Sequence, residues 1–274
     1  MSKIDRLGWT AGLTFRSYGV TVGLRVNNAE VLNDLLTFLP PEWTPSRART
    51  VNLLYSLMVG GASGRPNIRR FNMLYANATR VVRSLEMDEV FQAFESHSHL
   101  YIAELAPRRV FVHAGVVGWK GQAILMPGRS FAGKTSLVAE FVRAGATYYS
   151  DEYAVLDARG RVHPYSRPLA IRPTEGGTAK KHEVEELGGH AGTRPLPVGL
   201  VLVSSYKAGA KWRPRPLSAG KGALALLDNT ISIRRQPEAA FDVMERVVSQ
   251  AHVLKSARGE ARETVRSILN KLGD

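Results

Sequence analysis

Residues 128–136, Gly-Arg-Ser-Phe-Ala-Gly-Lys-Thr-Ser, contain the pattern Gly-x-x-x-x-Gly-Lys-Thr. A glycine-rich turn that runs into a helix N-terminus points several backbone N–H groups at one spot. Phosphate oxygens fit there, and the helix dipole favours their charge. Gly128 and Gly133 admit backbone angles that a side chain opposes. In such a loop Lys134 reaches the β- and γ-phosphates, and the Thr135 hydroxyl ligates Mg²⁺. The expectation is a nucleotide site built from Gly128, Arg129, Ser130, Phe131, Ala132, Gly133, Lys134, Thr135 and Ser136. The competing reading is a glycine-rich turn with an exposed lysine.

Downstream, Tyr148-Tyr149-Ser150-Asp151-Glu152 puts two carboxylates side by side. In an open α/β sheet, ligands sit at the carboxyl ends of strands. Asp151, ending the strand after the loop's helix, would face the Mg²⁺ beside Thr135. Adjacent residues on a strand point to opposite faces unless the strand has ended. Glu152 is then either a base that takes a proton from a hydroxyl or a surface charge at a strand end. Upstream, His113 lies in Phe-Val-His-Ala-Gly-Val-Val-Gly-Trp, on the strand before the loop's own. On spacing alone, an isolated histidine between apolar residues is more often a satisfied core group than a catalyst.

The surrounding pattern supplies the elements these residues need. Residues 109–119 and 121–128 are apolar runs of strand length around a turn at 118–121. Residues 136–145 have helical spacing, with Gly145 at the C′ position. Residues 146–157 are strand-like, and a turn at 158–160 leads into a returning strand. The order strand, glycine-rich loop, helix, strand is the context the motif requires. Before it, residues 13–26 alternate as a strand pair turning at Tyr18-Gly19. Residues 29–39 place Val31, Leu32, Leu35, Leu36 and Leu39 on one helical face, which Pro40-Pro41 ends. Residues 51–59 suit a strand or short helix, 60–67 a loop, and 71–77 and 80–84 strands. Residues 87–105 begin as a helix whose first turn is acidic. After the site, residues 173–197 are polar and glycine-rich and read as one long loop, which in a compact domain is functional or disordered. A buried strand follows at 199–205, then two helices at 237–254 and 259–272. The domains expected are an N-terminal α+β region, 1–108, for partner recognition, and a nucleotide domain, 109–274.

His113, the glycine-rich loop and the acidic pair together resemble the HPr kinase/phosphorylase family. That family carries a His on a strand before its P-loop and an Asp pair after it. Here His113 precedes Gly128 by 15 residues, and Asp151 follows Lys134 by 17. The match covers residues 111–157 and fades after Arg172. The resemblance implies an α/β fold with a P-loop kinase core, shared with phosphoenolpyruvate carboxykinases. It implies transfer of the ATP γ-phosphate to a serine hydroxyl on a protein or peptide, with ATP and Mg²⁺ bound. By position, Lys134 and Thr135 take the nucleotide and metal roles, and Asp151 a metal or acid–base role. Glu152 takes the catalytic-base position, and His113 matches the active-site His. Arg172 lies in the nearest equivalent of a conserved stretch. The related enzymes assemble, which implies a homo-oligomer. The chain departs from the family at Arg129-Ser130-Phe131, where Asp-Ser-Gly is usual, and at Glu152, where Asp is. With these departures, the chain resembles a relative of the HPr enzyme rather than that enzyme.

A chain of 274 residues with 44% hydrophobic residues can bury a sizeable core. It has no cysteine, so disulfides, thiolate metal sites and cysteine nucleophiles are excluded. No apolar run approaches the roughly 18 residues of a membrane span, and the N-terminus lacks a signal-peptide core. A cytoplasmic protein is expected. The net charge of +13 favours anionic partners. Its densest cluster is Lys207, Lys211, Arg213 and Arg215 around Trp212, either a nucleic-acid footprint or a solvated loop. No nucleic-acid motif accompanies it. Over the 173–197 loop, Lys180, Lys181 and Arg194 are candidates to neutralise phosphate as it closes. The alternative to a kinase is a nucleotide-binding regulator that transfers nothing.

Overall fold

Apolar residues recurring at every second position need a sheet with a covered face, and this chain builds two such sheets. The computed structural model describes residues 3–60, 70–129, 132–171 and 180–273. The chain divides into two compact units, Met1–Pro107 and Arg108–Asp274.

In the first unit the strand pair forms as β1 (Ala11–Ser17) and β2 (Val20–Val26), joined at Tyr18-Gly19. Then come α1 (Glu30–Leu36), β3 (Thr44–Pro45), β4 (Leu53–Met58), β5 (Asn72–Ala76), β6 (Thr79–Ser84) and α2 (Met87–Leu105). The helix α1 stops before the prolines that the sequence suggests as its end. The six strands lie in the order β3-β1-β2-β4-β5-β6. Phe15, Val22, Leu24, Leu57 and Leu74 meet Val90, Phe94 and Ile102 of α2 in one core. The Tyr55 and Phe94 rings pack edge to face at 5.1 Å.

The second unit contains β7 (Val110–Trp119), β8 (Gln122–Pro127), α3 (Lys134–Arg143), β9 (Thr147–Ser150), β10 (Tyr153–Leu156), β11 (Arg161–His163), β12 (Leu169–Ile171), β13 (Lys180–His182), β14 (Leu196–Tyr206), β15 (Arg215–Pro216), α4 (Ala219–Leu227), α5 (Pro237–Gln250), β16 (His252–Arg258) and α6 (Ala261–Gly273). Its main sheet runs β11-β10-β7-β8-β14-β16-β15, with β9 also on β7. It is mixed, with β8, β14 and β16 parallel and β7 antiparallel to β8, β9 and β10. The sheet is covered on both faces, and β8 shows how. Ala123 and Leu125 join Leu226, Val243, Met244 and Val247 of α4 and α5. Ile124 and Met126 join Leu137, Val138 and Phe141 of α3 and Val265 and Ile268 of α6. Burying each large side chain of this kind contributes about 2 kcal/mol. This packing therefore sets where α3 starts relative to the sheet. The fold is mixed α/β, as expected.

Two local expectations are corrected. Residues 173–197 are not one long loop. Lys180–His182 pairs with Leu169–Ile171, Val184–Leu187 is a 3-10 turn, and β14 begins at Leu196. The backbone ladder accommodates polar side chains, so a polar composition does not exclude strand. The helix expected over 237–254 ends at Gln250, and His252–Arg258 becomes a strand parallel to β14. There, pairing to a buried neighbour outweighs local helical spacing. The sequence reading leaves residues 219–227 unassigned; α4 forms there despite Gly220 and Gly222 because it packs along α5. Among the described residues, no helix is long and apolar enough to cross a membrane.

Candidate functional site

The middle of β7 is where the separated residues meet. Because β8 and β9 are both antiparallel to β7, they run in the same direction on its two sides. Pro127, the last residue of β8, pairs with Ala114, and the Gly128 N–H donates to the His113 carbonyl at 3.1 Å. On the other side, β9 ends at Ser150 opposite Val116, and β10 resumes at Tyr153 opposite His113. Asp151 and Glu152 leave the ladder in a bend between them, although the Ala114 N–H still donates to the Glu152 carbonyl at 3.0 Å. A strand interrupted there lets two adjacent carboxylates turn out of the sheet together. The sequence motifs alone do not reveal this bend.

The glycine-rich loop leads from β8 into α3. Gly133 is the N-cap, with φ of +76°, and no side chain caps the first turn. The first-turn amides are therefore available to an anion. Lys134 is 8% exposed. Its ammonium donates to the Gly128 and Arg129 carbonyls at 2.9 and 3.0 Å and lies 3.5 Å from Nε2 of His113. Thr135 donates through Oγ1 to Oδ2 of Asp151 at 2.9 Å. Ser136 and the Arg129 side chain are exposed, and Ala132 and Gly133 are half-buried. Ser130 and Phe131 lie outside the described residues.

The carboxylates have partners that no motif announced. The Tyr148 hydroxyl lies 3.2 Å from Oδ1 of Asp151 and 2.8 Å from the Arg167 carbonyl. The Arg167 guanidinium ion-pairs with Glu152. Arg167 is thus the cation seated on the acidic pair. Of the residues expected to neutralise phosphate, Lys180 and Lys181 are exposed on β13. Arg194 is exposed too, and its carbonyl receives the Tyr149 hydroxyl. Arg172 lies outside the described residues.

Behind the loop is a second arginine. Arg258, at the end of β16, is 2% exposed. It donates through one terminal nitrogen to the Ala132 and Gly133 carbonyls at 3.2 and 3.1 Å, and through the other to Gly259 at 3.1 Å. Its Nε has no hydrogen-bond partner among the described residues. Carbonyls held from behind leave the loop's amides to face the other way. Arg258 lies 126 residues beyond Ala132, between two segments read as helices, so nothing local marks it.

Burial shapes the charges. It pushes His113 down to about 4, with Lys134 adding to the effect, so the imidazole is neutral at pH 7. Burial also lowers Lys134, while Asp151 and Glu152 oppose that shift. Asp151 is raised by burial against the hydrogen bonds of Thr135 and Tyr148 and the charge of Arg167. Two oxygen donors in contact, Thr135 and Asp151, are the ligand type Mg²⁺ takes, since it uses one or two carboxylates and keeps several waters. The arrangement can hold a phosphate at the helix N-terminus with a hard cation beside it. No protein-family model matches this chain, and no curated protein matches it.

Proposed function

We propose that this chain is a Mg-ATP-dependent phosphotransferase of the HPr kinase type, moving the γ-phosphate of ATP to a hydroxyl, serine foremost, of a protein or peptide. One observation carries the reading. His113, the Lys134-Thr135 pair and the Asp151-Glu152 pair, from three separate segments, meet around one stretch of β7, with Thr135 in contact with Asp151 at 2.9 Å. The fold is read accordingly as a P-loop kinase core.

Thr135 and Asp151 would hold Mg²⁺, which when bound supplies charge neutralisation on the phosphates. Lys134 exchanges its loop carbonyls for phosphate oxygens. The loop amides and the N-terminus of α3 bind the remaining charge. The acceptor oxygen bonds to the γ-phosphorus as the bond from that phosphorus to the β–γ bridging oxygen breaks, and ADP leaves. The acceptor's proton passes to Glu152, which Arg167 orients. His113, neutral, positions the Lys134 ammonium.

The ion pair between Arg167 and Glu152 favours a second reading, a nucleotide-binding regulator without transfer. A carboxylate engaged by guanidinium is a poorer proton acceptor. The two readings separate on one experiment. The purified protein is incubated with Mg²⁺ and γ-labelled ATP, with and without a lysate of its source, beside Lys134→Ala and Glu152→Gln. A kinase labels a specific polypeptide, loses nucleotide binding in Lys134→Ala, and in Glu152→Gln keeps binding while transfer falls about 10²- to 10⁴-fold. Binding without labelled product supports the regulator. Normal transfer by Glu152→Gln removes the proposed base.

A further inference from the structure

The basic cluster that stands out in the sequence lies one arginine side chain from the loop. The β14–β15 connection folds back so that the Lys207 N–H donates to the Arg258 carbonyl at 2.9 Å, and Ala210 lies against Gly259. The same Arg258 reaches through its side chain to Ala132 and Gly133. Trp212 packs onto the core beneath α3 and α6, and the Arg213 N–H donates to the Ser256 hydroxyl at 3.0 Å. The arm is therefore tied down at four points rather than loose.

Its charges are one-sided. Lys207, Lys211, Arg213, Arg215 and Lys255 are all exposed. None of the five makes an ion pair among the described residues. Arg215 and Lys255 are direct cross-strand partners on β15 and β16. Like charges placed opposite each other on a ladder repel, so this pairing costs stability when nothing compensates it. Glu260 is the carboxylate these two segments contribute, and it is occupied by the Tyr206 hydroxyl at 2.9 Å. β15 is a two-residue strand at the edge of the main sheet.

We propose that this arm docks an acidic stretch of polypeptide flanking the acceptor's hydroxyl, so that the substrate class is an acidic protein or peptide. The acceptor role rests on the phosphotransferase reading, whereas the docking surface rests on the arm alone. Glutamate or aspartate side chains would relieve the Arg215–Lys255 repulsion, and the neighbouring Arg258 fastens the docked chain's platform to the loop that holds the phosphate.

The probe is a fluorescein-labelled dodecapeptide of glutamate with one central serine, followed by anisotropy at moderate salt. A glutamine counterpart and a single-stranded oligonucleotide serve as controls. Wild type is expected to bind the glutamate peptide about ten-fold or more above the glutamine one. The variant K211E/R213E/R215E/K255E should lose that preference while keeping its nucleotide affinity. R159E/K221E/R262E/R266E, with the same net charge change on the same unit, should retain it. If the fourfold reversal does not fold, R213Q/R215Q is expected to show the same loss in smaller measure. Equal binding of the two peptides overturns the proposal. So does loss in the R159E/K221E/R262E/R266E control, or tight binding of the oligonucleotide with none of the peptide. Lys134→Ala should bind the peptide like wild type. Peptide binding without nucleotide binding by wild type keeps the docking surface and removes the kinase. Nucleotide binding without peptide preference does the reverse.

Discussion

His113 carries a charge state that the protein itself sets. Burial and the Lys134 ammonium both disfavour the imidazolium, so the folded chain protonates it near 4 and the unfolded chain near 6.5. Between those values the unfolded state binds more protons, and stability falls as pH drops through the window. The loss is complete below about pH 4, and with partial solvent access it amounts to about 2 kcal/mol. Asp151 is raised and acts with the opposite sign, so the comparison needs a His113→Gln reference. Denaturant midpoints should fall less from pH 7 to pH 4 in His113→Gln than in wild type. Proton NMR should place the His113 titration near 4, moving upward in Lys134→Met because a repelling charge is gone. A titration at 6.5 in both proteins would remove the contact with Lys134. At this scale the motif residues were legible because their types and spacing are local. Arg167, Tyr148 and Arg258 were not, since each reaches the site through pairing that no spacing rule encodes.

Strand β16 matters to the site through its last residue. Arg258 supplies donors to the Ala132 and Gly133 carbonyls from behind the loop. Arg258→Met leaves these carbonyls without that donor, and a destabilisation of about 2 kcal/mol is expected, with weaker ATP binding. Arg258→Lys, which keeps a donor and the charge, should recover part of both. Gly133→Ala attacks the same junction from the other side. Its φ of +76° costs about 1–2 kcal/mol for a side chain. Its added Cβ would lie 2.3 Å from the Arg258 terminal nitrogen, so the arginine must also shift. Thermal melts and calorimetric ATP titrations of the three variants test the junction. Unchanged affinity in Arg258→Met would make the arginine a packing residue only.

The whole chain comprises two units, each with its own apolar core. Every described residue of the candidate site, from His113 to Arg258, belongs to Arg108–Asp274. That segment expressed alone should unfold in a single cooperative transition and bind nucleotide with the affinity of the full chain. Loss of binding in a folded fragment would give the first unit a part in the site. The charge of +13 also belongs to this scale. Lys207, Lys211, Arg213, Arg215 and Lys255 show that part of it is gathered beside the loop rather than spread over the surface.

Local sequence determined the strand–loop–helix around Lys134 and the hairpin of β1 and β2. Each follows from hydrophobic period, glycine placement or turn chemistry within a few residues. Tertiary structure decided that β7 has β8 on one side and β9 on the other, which brings Thr135 to Asp151. It decided that 252–254, expected as the end of a helix, open a strand that runs on to Arg258, which brings Arg258 to Gly133. These choices depend on the free energy of burying both faces of one sheet between two layers of helices. That sum runs over residues more than a hundred positions apart, and no window along the chain contains it.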